Sequence, residues 1–165
     1  MSTQPKCVIM HADGACRGNP GLGGWGYRLM VRDREDKWHV KTDCGFGGEK
    51  VTNNAMELVA VIQGLMALTN NLRPVKVYSD SKYVVNGINS WMADWKLRNW
   101  KTAANKPVAN AQLWQQLDSL MQHHKVHAFH VPGHSDDEGN DVADELANKG
   151  IDDWLLAKQH DTEEV

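Results

Sequence analysis

The sequence predicts an α/β protein built on a mixed five-stranded sheet, and three observations carry the prediction. Two apolar runs, "CVIMHA" at residues 7–12 and "VKVYS" at residues 75–79, are strand-like, and each is followed by an acid, Asp13 or Asp80. The first three extended segments are joined by links too short for a helix, so they are expected to be antiparallel neighbours. From residue 52 onward helical patterns alternate with strand patterns, which asks for parallel strands joined by right-handed crossovers.

Each element has its own signal. The first strand ends on Asp13. "GWGYRLMVRD" and "KWHVKTDCGF" read as the second and third strands around the polar turn "RDRED". "TNNAMELVAVIQGLMALTN" is helical, with Thr52 or Asn54 as cap and apolar residues nearly all round, hence a buried helix. The fourth strand follows Arg73-Pro74 and ends on Asp80. "SKYVVNGINSWMADWKL" reads as two short helices broken near Gly87, and "NWKTAANKPVAN" as a polar loop. "AQLWQQLDSLMQ" sets Leu113, Leu117, Leu120 and Met121 on one helical face. "KVHAFHV" is the fifth strand, and "GNDVADELANKG" the last helix, with Gly150 as its C-cap. One domain over residues 1–154 is expected, with 155–165 as an acidic, disordered tail.

With 165 residues, 41% hydrophobic and 24% charged, the composition is that of a soluble globular domain. No apolar run reaches the roughly 20 residues a membrane span needs. Three scattered cysteines and no apolar leader point to a reducing compartment, the cytoplasm. Net charge is −3, but it is unevenly spread. Residues 82–106 carry five basic side chains against one acid, whereas 136–165 carry eleven acids and two lysines. The basic stretch could grip a phosphate backbone or could be a solvated face.

Four acids invite a chemical reading. Asp13 and Asp80 end strands predicted to be parallel neighbours, where ligands of such sheets gather. Glu57 is the one acid on an apolar helix, and Asp144 lies on the last helix. Carboxylates drawn together need protons or cations, and hard oxygen ligands favour magnesium or manganese. Each acid alone has an ordinary explanation. Asp13 can start a turn, Glu57 can close a capping box with Asn54, Asp80 can cap the next helix, and Asp144 can be a solvated helix acid. The histidines of residues 123–134 do not read as a zinc site, because His127 and His130 fall on opposite faces of a strand.

"DGACRGNPGLGGWG", "TNNAMEL", "YSDSKYV", "WKLRNWKTAANKPVAN" and "VPGHSDDEGNDVADELA", in this order over residues 8–150, resemble the successive motifs of type 1 ribonuclease H in its bacterial form with a basic handle. The resemblance implies hydrolysis of the RNA strand of RNA–DNA hybrids with two Mg2+ ions (Mn2+ substituting), leaving 5′-phosphate and 3′-hydroxyl ends; a monomer is the default expectation. It makes Asp13, Glu57, Asp80 and Asp144 the metal ligands and His134 a participant in proton transfer or product release. It places Cys16, Gly18, Asn19, Asn53 and Asn54 along the RNA strand, the glycines giving the substrate close approach to the backbone. It assigns Thr52, Asn110 and Lys50 to a phosphate pocket and Tyr83, Trp91 and Trp95 to the DNA backbone, with Lys82 beside them. Lys96, Arg98, Lys101 and Lys106 populate the handle, about residues 90–110. Ala12, Ala55, Lys82 and Leu97 depart from the family's usual residues, which bears on substrate affinity rather than on chemistry. The rival readings are a DNA-acting nuclease or strand transferase of the same fold, a catalytically silent hybrid-binding module, and a detached reverse-transcriptase domain.

Overall fold

The computed structural model describes residues 6–132 and 137–163. Strands β1 (Val8–Arg17), β2 (Gly21–Arg32) and β3 (Trp38–Val51) precede helix α1 (Asn53–Met66). Strand β4 (Val75–Ser79), helices α2 (Lys82–Asn86), α3 (Met92–Leu97) and α4 (Ala111–Met121), strand β5 (Val126–His130) and helix α5 (Glu138–Glu163) follow. The sheet order is β3-β2-β1-β4-β5, antiparallel across β3-β2-β1 and parallel across β1-β4-β5. This is the architecture the sequence predicts.

The two faces of the sheet are covered by different helices. Met10 packs under Gly64 of α1, and the next residue, His11, packs under Gly139 of α5. Consecutive strand residues point to opposite faces, so α1 and α5 sandwich the sheet. α1 is buried through Leu58, Ala60, Val61 and Leu65, and packs on α4. α5 lies on β1, β2 and β3 through Ala143, Ala147 and Ile151. Both helices need a bare backbone beneath them. A Cβ at Gly14 would fall 2.4 Å from the Met56 carbonyl carbon, and one at Gly26 would fall 2.6 Å from Leu146 Cβ. The glycines at these two positions therefore admit helices, a correction to the expectation that they open the backbone to substrate.

Four other expectations change. β1 does not end at Asp13. Its parallel pairing with β4 stops at His11↔Tyr78, but the antiparallel ladder with β2 continues to Arg17↔Leu22. The break near Gly87 is a π-helical turn, Gly87–Trp91, that joins α2 to α3 without interruption. On α4 the expected face packs inward, with Leu117 buried and Leu113, Leu120 and Met121 against the core, but it also includes Trp114, equally buried and not among the residues expected there. Its indole N–H donates to Tyr83 Oη at 2.9 Å. Truncating such a residue to alanine costs about 3–5 kcal/mol.

The fourth change is at the C-terminus, where α5 does not cap at Gly150 or give way after Trp154. Gly150 sits against Gly45, where a Cβ would meet the Gly45 carbonyl oxygen. Trp154 stacks on Phe46 at 4.1 Å, and Lys158 reaches both the Trp154 ring and Glu49, 3.5 Å away. These contacts with β3 carry the helix to Glu163.

Candidate active site

The parallel register of β1 and β4 builds the site. His11 and Tyr78 are paired, so Asp13 and Asp80, each two residues farther on, point to the same face at the same end of the two strands. Glu57 comes one turn into α1. The ordinary roles offered for these acids are taken by neighbours. Thr52 caps α1 by accepting from the Ala55 N–H at 3.2 Å, and Ser81 caps α2 by accepting from Val84 N–H at 3.2 Å. Glu57 and Asp80 are thereby released from capping. Asp13 does make a local bond, accepting from Gly14 N–H at 2.9 Å.

One carboxylate oxygen each from Asp13, Glu57 and Asp80 lies within 4.8 Å of the others. Asp13 and Glu57 are buried, and Asp80 is half-buried. Asp144 is exposed on α5 at the rim, outside the group of three but near enough to Asp13 for its charge to act on that carboxyl. Burial, reinforced by the charges of Asp80 and Asp144, pushes the Asp13 carboxyl up to about 7, although its contact with Glu57 opposes the rise. Burial, then the neighbouring Asp13, holds Glu57 well above the usual carboxylate range. Glu57 Oε2 is buried and has no hydrogen-bond partner among the described residues. An orphaned buried oxygen among converging carboxylates is costly unless a cation completes it. The donor set is all oxygen and partly open to solvent, so it fits a hard divalent cation.

The residues expected along the RNA strand gather beside this cluster. Asn53 N–H donates to Asn19 Oδ1 at 3.1 Å, and Cys16 Sγ lies 2.6 Å from Gly18 O and 3.1 Å from Val51 O. The turn after β1 is thus tied to the start of α1, where Asn54 is exposed and Lys50 and Thr52 stand just ahead. The aromatic residues form one wall. Tyr83 meets Trp91 and Trp114 edge-on, and Trp95 lies 5.8 Å from Trp91 and 5.2 Å from Trp114. Asn110 Nδ2 donates to Tyr83 Oη at 3.2 Å. Trp91 is exposed, and Trp95 packs against the core. Lys82 is exposed at the start of α2.

In the handle, Arg98, Lys101 and Lys106 are exposed, but Lys96 is paired with Asp118 of α4 at 3.1 Å. His134 lies outside the described residues. His130 Nε2 contacts Asp80 O at 3.2 Å, and the described histidines join no metal-ligating group. Sequence reasoning missed His11 and Asp137, which meet at the start of α5. A histidine in an otherwise apolar strand was the available signal.

The RNase H family model matches residues 5–152. The chain belongs to the ribonuclease H family, in its type 1 bacterial form. A Ribonuclease H of Pseudomonas putida is 51% identical over 146 residues, spanning 88% of this chain and 93% of that protein. Among solved structures, LC9-RNase H1, a type 1 enzyme with the type 2 active-site motif, superposes with a TM-score of 0.79 at 26% identity. The match covers 92% of this chain and 74% of that one. LC11-RNase H1, solved in complex with RNA/DNA hybrid, matches with a TM-score of 0.64 at 25% identity, covering 90% and 99%. No helix among the described residues is long and apolar enough to cross a membrane.

Proposed function

We propose that the chain hydrolyses the RNA strand of RNA–DNA hybrids in the cytoplasm, as a monomer, at the Asp13–Glu57–Asp80–Asp144 cluster. The observation that carries this reading is the convergence of buried carboxylates with an unpartnered oxygen on Glu57. These four residues would hold two Mg2+ ions, with Mn2+ able to substitute. Paired divalent ions supply an activated water and stabilise the charge on the attacking and leaving oxygens of a phosphodiester displacement, giving 5′-phosphate and 3′-hydroxyl ends.

The protein's own groups account for the rest. Asp13, whose carboxyl is acted on by Glu57, Asp80 and Asp144 alike, would be the ligand that ties the four acids together. His134 would move a proton near the leaving oxygen or help the product depart. Asn19, Asn53 and Asn54, with Cys16 and Gly18, present short polar groups suited to a 2′-hydroxyl, which both donates and accepts. Thr52, Asn110, Lys50 and Lys82 would take DNA-strand phosphates, and the face of Trp91 with Tyr83 and Trp95 would pack on the DNA backbone. Arg98, Lys101 and Lys106 are the exposed cations that the handle would offer to phosphates.

The test is a substrate panel of labelled RNA–DNA hybrid, single-stranded RNA and duplex DNA, each incubated with Mg2+. Cleavage of the hybrid's RNA strand alone is expected. Cleavage of duplex DNA instead would support the rival DNA-acting nuclease, and binding of hybrid without cleavage would support the silent module.

A further inference from the structure

α5 is the element that brings Asp144 to the other carboxylates, and the sheet grips its beginning. His11 and Arg28 are register partners on β1 and β2. His11 is buried, its ring stacked on Tyr78 at 5.2 Å, and its Nε2 lies 3.2 Å from Asp137 Oδ1. Arg28 Nη1 stands 3.9 Å from Glu138 Oε1. Asp137 is also the cap of α5. The same Oδ1 accepts from Asn140 N–H at 2.9 Å, and its carbonyl accepts from Asp141 N–H at 3.1 Å. The first turn rests directly on the imidazole, because a Cβ at Gly139 would fall 2.3 Å from the His11 ring. One carboxylate thus starts the helix and touches the sheet.

Asp137 and Asp144 are seven residues apart, about two helical turns, and share a face to within about 20°. His11 and Asp13 are two residues apart on one strand face. The stripe of α5 that meets His11 therefore continues to the acid that meets Asp13. Asp144 is exposed, so the helix rather than its own packing sets its place. Ala143, Ala147 and Ile151 hold α5 onto the sheet from the residue before Asp144 onward, and the His11 contact, with the Arg28–Glu138 pair, holds the turns ahead of it.

We propose that His11 is a positioning residue: through Asp137 it fixes where α5 begins on the sheet and so sets how closely Asp144 approaches Asp13. The proposal rests on the reading of Asp144 as a metal ligand. His11→Phe keeps the ring and its stack on Tyr78 but removes the Nε2 that stands 3.2 Å from Asp137 Oδ1. Asp137→Ser keeps a capping oxygen but is too short to reach His11, whereas Asp137→Asn keeps both the cap and the acceptor.

Calorimetric titration with Mn2+ and amide exchange over residues 138–144 are the readouts, with the melting temperature recorded alongside. His11→Phe and Asp137→Ser are each expected to weaken Mn2+ binding about threefold to tenfold, the worth of one close polar contact, and to speed exchange at the start of α5. Asp137→Asn should stay within about twofold of wild type by the same measure. In an Asp144→Asn background, His11→Phe should weaken Mn2+ no further. An equal loss in both backgrounds would overturn the proposal, because His11 would then act on Asp13 through β1. So would unchanged Mn2+ affinity in His11→Phe, or in Asp137→Ser should His11→Phe fail to fold. Mn2+ affinity untouched by Asp144→Asn itself would refute the ligand reading first. Loss with Asp144→Asn but none with His11→Phe refutes this proposal alone.

Discussion

Asp13→Asn will make the metal-free protein more stable at alkaline pH while it abolishes turnover. Burial and the neighbouring acids raise the Asp13 carboxyl from 3.8 to about 7 in the folded protein. A carboxyl raised on folding keeps its proton in the folded state over a range where the unfolded chain has released it. Stability therefore falls as pH rises from about 4 to about 7, and the loss is complete above that window. A rise of this size corresponds to about 4 kcal/mol at most. Relaxation and water entry reduce this, so about 2–4 kcal/mol is the expected gain when a neutral amide replaces the carboxylate at pH 8. For a chain of this size the gain is about 5–10 °C in melting temperature. Thermal melts in chelator at pH 8 and pH 4.5 read it directly. The variant should melt well above wild type at pH 8 and close to it at pH 4.5, where the native carboxyl is itself protonated. Equal melting temperatures at pH 8, or a gain independent of pH, would show that charge crowding at Asp13 does not burden the fold.

The same linkage makes metal binding proton-coupled. Mn2+ affinity should fall as pH drops from 8 to 6, with proton release detectable by calorimetry in buffers of different ionisation enthalpy, and a flat profile would contradict it. His134→Ala should lower kcat by about 10²–10⁴-fold and leave Mn2+ affinity intact, whereas loss of metal binding would make His134 a ligand. Replacing Arg98, Lys101 and Lys106 with alanine should raise KM, leave kcat nearly unchanged, and flatten the salt slope by up to about 0.9 for each phosphate no longer neutralised. Lys96→Ala should do less, because Lys96 is already paired with Asp118. An unchanged KM and salt slope in the triple variant would remove the handle from substrate binding.

The fold was legible because its elements have distinct patterns. Apolar runs ending on Asp13 and Asp80 gave the parallel strands, and the short links after the first of them gave the antiparallel ones. What was not legible depends on partners distant in the chain. Nothing near Asp13 announces that the β2 ladder carries β1 on to Arg17. The reach of α5 to Glu163 depends on Phe46 and Glu49, about a hundred residues earlier. The burial of Trp114 depends on Tyr83, which occupies its indole N–H.

In the site, three of the four acids could be placed from topology, because a parallel pair fixes Asp13 and Asp80 and the following helix fixes Glu57. The choice between ligand and cap for Glu57 and Asp80 could not be made until Thr52 and Ser81 were seen to cap. Asp144 comes in on α5, from the face of the sheet opposite α1, and its nearness to Asp13 depends on how α5 lies on the sheet.

Whether these carboxylates act by holding divalent cations is decided by the rate of RNA-strand cleavage in a labelled hybrid, measured against free Mg2+ from excess chelator upward. No cleavage in chelator, a saturable rise with Mg2+, and no comparable rise for Asp13→Asn are expected. Cleavage that persists at the wild-type rate in excess chelator would contradict the metal-holding role of the cluster.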